Sequence, residues 1–65
     1  MTEQFLRLPA VASMVGWSKI TIHRAVKEGR FPKPVKLGAR SIAWPESEII
    51  EWQEARKAER DQVAA

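Results

Sequence analysis

The sequence contains no cysteine and only one histidine. Without cysteine no disulfide can supplement the core, and cysteine-based zinc sites are excluded. One histidine alone cannot build a nitrogen and sulfur ligand set, so we expect no metal and no other cofactor. No apolar run approaches the ~20 residues that span a bilayer, and the first residues lack the basic segment of a signal peptide. We therefore expect a cytoplasmic protein that makes no contact with membranes.

The chain is also short, with 65 residues. That length limits it to one domain with a thin core, which we place over residues 1–65. A substrate cavity does not fit in so small a domain, and His23 has no serine or cysteine partner in the sequence pattern that would make it catalytic. We expect a binding module that is not an enzyme.

Basic residues are concentrated in the middle of the chain. Residues 18–41 contain seven lysines and arginines against Glu28 alone, whereas residues 42–65 contain six acidic and three basic residues. A basic segment of this kind is typical of a face that binds a polyanion. If that polyanion is DNA, we expect the protein to associate with the bacterial nucleoid. Scattered charges that only keep a small domain soluble would give the same composition, so charge alone leaves nucleic-acid binding open.

Two helices joined by a tight turn are predicted in the first half of the chain, after a short extended stretch. The first covers residues 9–15 and ends at Gly16, because its apolar residues follow helical spacing. The second covers residues 19–28, with Ser18 as N-cap and Gly29 at its C-terminal end. The apolar positions of the first helix are Leu8, Val11, Ala12 and Val15.

The residues around this turn follow the pattern of a helix-turn-helix over about residues 9–28. Ala12 is small enough for the second helix to approach, and Gly16 allows the sharp turn. Ile22 and Ala25 fill the angle between the helices. Any two-helix corner in a small core needs a similar set, so the pattern alone does not prove DNA binding.

A β-hairpin is predicted next, over about residues 33–44. Alternate apolar residues at 35–37 and 42–44 indicate two half-buried strands, with Lys36 on the solvent side and Arg40 at the tip. Prolines before the first strand mark it as an edge strand. In a winged helix-turn-helix, such a hairpin is the wing.

A C-terminal helix is predicted over about residues 45–60. Pro45 opens it, and acidic residues in its first turn favour the helix dipole. Ile49, Trp52 and Ala55 form a narrow stripe that packs on the domain, and the chain frays beyond Arg60. The three tryptophans are expected to pack in the core rather than to stack on bases.

The face of the second helix opposite Ile22 and Ala25 is the predicted recognition surface. There arginine and lysine can pair with guanine, serine with any base, and Lys27 with phosphate. Ile20 has two open roles, contact with a thymine methyl group or a place in the core. The face consists of Ser18, Lys19, Ile20, His23, Arg24 and Lys27.

The hairpin is the second predicted contact surface. Arg40, flanked by Lys36 and Ser41, suits the minor groove of the duplex, where the negative potential favours arginine. Lys33 and Lys36 suit phosphates, which orient a protein without reading sequence. Arg30, between the two elements, joins the predicted DNA-binding set. A solvated hairpin with incidental charges is the alternative.

Residues 29–38 have the sequence Gly-Arg-Phe-Pro-Lys-Pro-Val-Lys-Leu-Gly. By this run, together with other motifs, the sequence resembles the AlpA family of phage and prophage regulators. The resemblance covers residues 5–56. It implies a fold that is mainly α with a small β-hairpin, a winged helix-turn-helix like that of MerR-related proteins. One departure is His23, where tyrosine is common, and a histidine that binds phosphate there would do so in a pH-dependent way. The other matching motifs are Leu6-Arg7-Leu8-Pro9, Gly16-Trp17-Ser18, Trp44, Glu48 and Trp52.

The resemblance implies sequence-specific binding of double-stranded DNA, as a transcriptional regulator of prophage or genomic-island genes, as an excisionase beside an integrase, or as both. Because one small module buries little surface on DNA, we expect further copies of the protein to bind cooperatively. The alternative function is a protein-interaction module that docks an integrase or a regulator through the same face.

Overall fold

A computed structural model describes residues 3–63, which form three helices and a three-stranded antiparallel sheet. Two helices joined by a short turn are followed by a β-hairpin and a third helix, so the predicted winged helix-turn-helix class is confirmed. In chain order the elements are β1 (Phe5–Leu6), α1 (Leu8–Val15), α2 (Lys19–Lys27), β2 (Val35–Gly38), β3 (Ser41–Pro45) and α3 (Glu46–Val63).

The turn between α1 and α2 depends on Gly16. Its φ of 76° lies in the left-handed region, which glycine enters without steric cost, and its N–H donates to the carbonyl of Ala12 at 2.9 Å. The first helix starts at Leu8, one residue earlier than predicted, and places Pro9 in its first turn, where no N–H is needed.

The end of α2 sets the path of the chain towards the hairpin. The helix ends at Lys27 and not at Glu28, and Gly29 then takes a φ of 79°. The N–H of Arg30 donates to the carbonyl of Ala25 at 2.8 Å, and that of Gly29 to the carbonyl of Val26 at 3.1 Å. This is a Schellman arrangement, which satisfies the last carbonyls of the helix and turns the chain away from its axis.

The sheet has the order β1–β3–β2, so β3 is its central strand. The predicted hairpin is present as β2 and β3, and β2 is an edge strand as expected. The third strand was not predicted: Phe5 pairs with Pro45 and Leu6 with Trp44. Only the extended character of the first residues was evident in the sequence.

The core lies between the sheet and the helices. Trp44 of β3, Ile22 of α2, Ile49 of α3 and Val11 of α1 are its largest fully buried side chains. Leu6, Ala25 and Phe31 complete the cluster. Every helix therefore contributes to the core, which fixes α2 relative to the sheet.

The tryptophans pack together, as predicted. Phe31 lies 4.9 Å from Trp52 and 6.1 Å from Trp44, between ring centroids, and Trp17 lies 5.2 Å from Trp52. Two indole N–H groups donate to backbone carbonyls of the segment after α2: Trp44 to Pro32 at 2.7 Å and Trp52 to Arg30 at 2.9 Å. The aromatic cluster thus anchors the connection between α2 and the hairpin.

The predicted bounds of the C-terminal helix were wrong at both ends. Pro45 is the last residue of β3, and the N–H of Glu46 donates to the carbonyl of Gln4 at 2.8 Å, which ties the helix start to the N-terminal strand. The helix continues to Val63, three residues beyond the predicted end, and the last two residues of the predicted tail lie outside the described range. Of the predicted stripe Ile49 is buried, but Ala55 is exposed.

The hairpin is more exposed than its alternating pattern predicted. All four residues of β2 are exposed, including Val35 at 40% and Leu37 at 49%. The expectation of two half-buried strands was wrong for β2, because the core lies under β1 and β3 and does not extend to the edge strand.

Candidate nucleic-acid interface

The N-terminus of α2 is held by Ser18. Its hydroxyl accepts a hydrogen bond from the N–H of Thr21 at 3.2 Å, as an N-cap does, and lies 2.8 Å from the Thr21 hydroxyl. The predicted cap is therefore present. By this hydrogen bond Ser18 fixes the first turn of α2, so Ser18 contributes to the interface by positioning that turn.

One side of α2 is buried and the other is exposed. Ile22 and Ala25 have no exposed surface and fill the angle between α1 and α2, with Val11 beneath them. Since successive helical residues are rotated by about 100°, the five exposed residues fall within a stripe about 140° wide on the opposite side. These residues are Lys19, Ile20, His23, Arg24 and Lys27.

Ile20 belongs to this exposed stripe. It is 71% exposed, more than any other large apolar side chain in the described part of the chain. The interpretation of Ile20 as a core residue is therefore wrong, because the core side of α2 is fully occupied by Ile22 and Ala25. An apolar side chain thus lies among cations on the surface.

The cations of α2 have no anionic partners within residues 3–63. Lys19, Arg24 and Lys27 form no ion pair with any described carboxylate. Their positive charge is therefore available to a ligand outside the chain.

Arg30 differs from the other predicted residues. Its guanidinium is paired with Glu28 at 2.6 Å, and it lines a groove with Trp52 and Arg56 of α3. The structure thus places Arg30 beside α3 and pairs it with a carboxylate, unlike the cations of α2 within the described residues. Its contact with DNA remains a prediction.

The hairpin carries the remaining predicted residues. Lys33 is exposed between two prolines, Arg40 is exposed in the turn between the strands, and Ser41 is the half-buried first residue of β3. Lys36 is paired with Ile42, which shares a sheet face with Trp44 because strand residues alternate. Lys36 is exposed, as predicted, but it shares a sheet face with Ile42 and Trp44 and does not lie on the outer face that the alternating pattern predicted.

The acidic helix α3 neutralises its own cations. Arg56 pairs with Glu59 at 2.5 Å and Lys57 with Glu54 at 3.2 Å, and Arg56 lies 5.5 Å from the Trp52 ring centre. The acidic residues of α3 therefore leave the basic residues of α2 and the hairpin uncovered. The basic middle and the acidic C-terminal part of the sequence thus correspond to different elements of the fold: α2 with the hairpin, and α3.

Sequence reasoning missed the exposed apolar residues of the hairpin, Val35 and Leu37, which lie on either side of Lys36. Alternation in the sequence suggests burial. The signal that could have found their exposure is the edge position of β2, which the prolines before it predict.

Comparison with known proteins shows which family the chain matches. Residues 4–57 match the family model described as "Prophage CP4-57 regulatory protein (AlpA)". The chain belongs to the AlpA family. The match includes all eleven predicted DNA-binding residues, which lie between positions 18 and 41, and every helix and strand up to the middle of α3.

Two relatives of this AlpA-family chain are similar along most of its length. It is 41% identical over 58 residues to an uncharacterized protein, ORF88, of Enterobacteria phage P4, which covers 89% of the chain and 66% of that relative. It is 37% identical over 59 residues to the DNA-binding transcriptional activator AlpA of Escherichia coli strain K12, which covers 82% of the chain and 84% of that relative. The chain thus spans slightly less than two thirds of the phage P4 protein.

The helices within residues 3–63 are each too short or too polar to cross a membrane.

Proposed function

We propose that this AlpA-family protein binds double-stranded DNA sequence-specifically and regulates prophage or genomic-island genes. The observation that carries the proposal is the stripe of cations on α2 that form no ion pair within residues 3–63, on the side opposite Ile22 and Ala25. A polyanion offers the missing counter-charges. The relative that is described as a DNA-binding transcriptional activator supports the same function. DNA binding would place the protein in the bacterial nucleoid.

The major groove of B-DNA admits an α-helix, and α2 is the helix that fits. Its first turn, set by the Ser18 cap, would face base edges. Arg24 is long enough to pair with guanine, whereas Lys27, at the end of the helix, suits a phosphate. His23, between them, suits a phosphate as well.

The hairpin would contact the backbone or the adjacent minor groove. Arg40 in the exposed turn suits the negative potential of a narrow minor groove. Lys33 and Lys36 suit phosphates, since both are exposed. Ser41 lies at the base of the same turn.

Several copies on one DNA segment follow from the size of the module. A single unit of this kind buries about 600–1,000 Å² of protein surface on DNA, which is modest for an operator protein. We expect copies to bind repeated sites, and the acidic α3 of one copy offers a surface for the basic hairpin of the next. An analysis that finds one protomer per site and no cooperativity would remove this part of the proposal.

The excisionase role is the second part of the proposal. A directionality factor uses the same DNA-binding face and in addition bends DNA or contacts an integrase. A footprint on the DNA that flanks the gene and on nearby attachment sites separates the two roles: protection at the promoter supports regulation, and protection at the attachment site supports excision.

The test of DNA binding compares two variants and a salt titration. Arg24→Ala should cost about 1–3 kcal/mol of discrimination between target and random duplex, whereas Lys36→Ala should weaken binding to both duplexes alike. The logarithm of affinity should fall by about 0.9 for each neutralised phosphate per tenfold rise in salt. If neither substitution changes DNA affinity but both abolish binding to an integrase, the protein is a docking module instead.

A further inference from the structure

Ile20 is an apolar residue on the cationic, exposed side of α2. It is 71% exposed, whereas the other exposed large apolar side chains within residues 3–63 are between 39% and 49% exposed. A large apolar side chain so exposed has no packing role in the fold. Single exposed apolar side chains are common on protein surfaces, so the position of Ile20 among the cations of α2, and not its exposure alone, is what points to a ligand.

The surroundings of Ile20 indicate the chemistry of that ligand. Next to it in sequence is Lys19, and one turn further along the helix are His23 and Arg24, all exposed. One turn before it lies Trp17, whose ring is packed against Phe31 and Trp52. Ile20 is thus the one apolar residue among the five exposed residues of α2, the others being three cations and a histidine. The matching ligand is a polyanion that presents an isolated apolar group.

Double-stranded DNA presents such a group in the major groove, the 5-methyl group of thymine, and apolar side chains read it by contact. Ile20 is the second residue of α2, at the end of the helix whose residues meet base edges in a helix-turn-helix. We propose that Ile20 reads the methyl group of a thymine. This rests on the proposed function, DNA binding through α2.

The position of Arg24 refines the proposal. Residues four apart lie on the same face of a helix and about 6 Å apart along its axis, while base pairs are stacked at about 3.4 Å. Arg24 and Ile20 therefore reach bases about two steps apart. The site read by α2 contains a thymine within about two base pairs of the guanine that Arg24 contacts.

The experiment uses uracil, which pairs like thymine but lacks only the methyl group. The full chain first selects its site from duplexes with a randomised central segment. Each thymine of the selected site is then replaced singly by uracil, and Kd is measured by fluorescence anisotropy. Burial of one methyl group corresponds to about a fourfold change in Kd. We expect one uracil position to weaken binding of the unsubstituted protein by about that factor.

Variants assign the effect to Ile20. Ile20→Ala should bind the thymine duplex about fourfold more weakly and should not respond to uracil, while Ile20→Leu should retain the response. Alanine favours helix, and the side chain is exposed, so the variant should fold, which circular dichroism checks. Ile50→Ala, which removes an exposed isoleucine from α3, is the matched control and should keep the full response.

The outcomes separate the inference from the function on which it rests. If a site is selected but no uracil weakens binding, or if Ile20→Ala responds to uracil as strongly as the unsubstituted protein, the assignment of Ile20 is wrong and DNA binding stands. If no duplex is selected above random sequence, sequence-specific binding is refuted and the assignment fails with it.

Discussion

Replacement of Trp44 by phenylalanine tests how the fold holds the two proposed DNA-contacting elements together. The indole is fully buried, and its N–H donates to the carbonyl of Pro32 at 2.7 Å, in the segment that joins α2 to the hairpin. Phenylalanine retains an aromatic ring against Phe31 but removes the hydrogen bond and leaves unfilled volume.

The expected loss of stability can be worked out from these two contributions. A hydrogen bond of this kind contributes about 1 kcal/mol net, and the smaller ring in a fully buried site costs about 1–2 kcal/mol more. Trp44→Phe should therefore lower the free energy of unfolding by about 2–3 kcal/mol. A domain of this length has about 3–10 kcal/mol in total, so the variant loses a large part of its stability.

The assay is urea denaturation followed by circular dichroism, which reports helix content without relying on the tryptophans. With a slope of about 1 kcal/mol per molar urea, the midpoint should fall by about 2–3 M. Trp17→Phe is the matched control, because that half-buried indole donates to no protein acceptor within residues 3–63. The Trp17→Phe variant should lose about 1 kcal/mol or less of its free energy of unfolding. Equal losses in the two variants would refute the importance of the Pro32 contact.

Three further changes test the local structure and charge of the helix-turn-helix. Gly16→Ala should lower the free energy of unfolding, measured by urea denaturation, by about 1 kcal/mol. The φ of 76° is unfavourable for alanine, although the new methyl group meets no atom within 4 Å. An unchanged midpoint would mean that the turn adapts. Ser18→Ala should lower the free energy of unfolding by about 1 kcal/mol through loss of the cap, measured in the same way, with Ser13→Ala, at an exposed position within α1, as the comparison. Lys27→Gln should reduce the slope of log affinity against log salt by about 0.9 on every duplex, and a loss confined to one sequence would contradict its role as a phosphate contact.

The helix-turn-helix was predictable because its determinants are local. The Ser18 cap, the left-handed Gly16 and the paired Ile22 and Ala25 all act within a few residues of each other, and the structure places each as expected. The exposed stripe of α2 follows directly, since burial of one helical face determines the other. Only for Ile20 did the sequence leave two positions open, the core or the exposed side of α2.

The sheet was predictable in part, because its third strand joins distant residues. Phe5 pairs with Pro45, forty positions later, and two residues of strand carry too little pattern to reveal such a partner. Pro45 illustrates the difficulty: proline suits the first turn of a helix as well as the end of a strand, and the pairing with Phe5 decides between them.

The central claim is that the cations of α2, which have no ion-pair partner in the described part of the chain, form a surface that binds DNA, and two charge reversals of equal size test it most directly. Lys19→Glu with Lys27→Glu changes α2, and Arg56→Glu with Lys57→Glu changes α3, where both cations are paired within the helix. Both double variants alter the net charge equally, and circular dichroism checks that each is folded. With a 20-base-pair duplex at physiological salt, the α2 variant should bind at least about 30-fold more weakly, and the α3 variant should stay within about threefold of the unsubstituted protein. Equal losses in both variants, or a greater loss in the α3 variant, would contradict the claim.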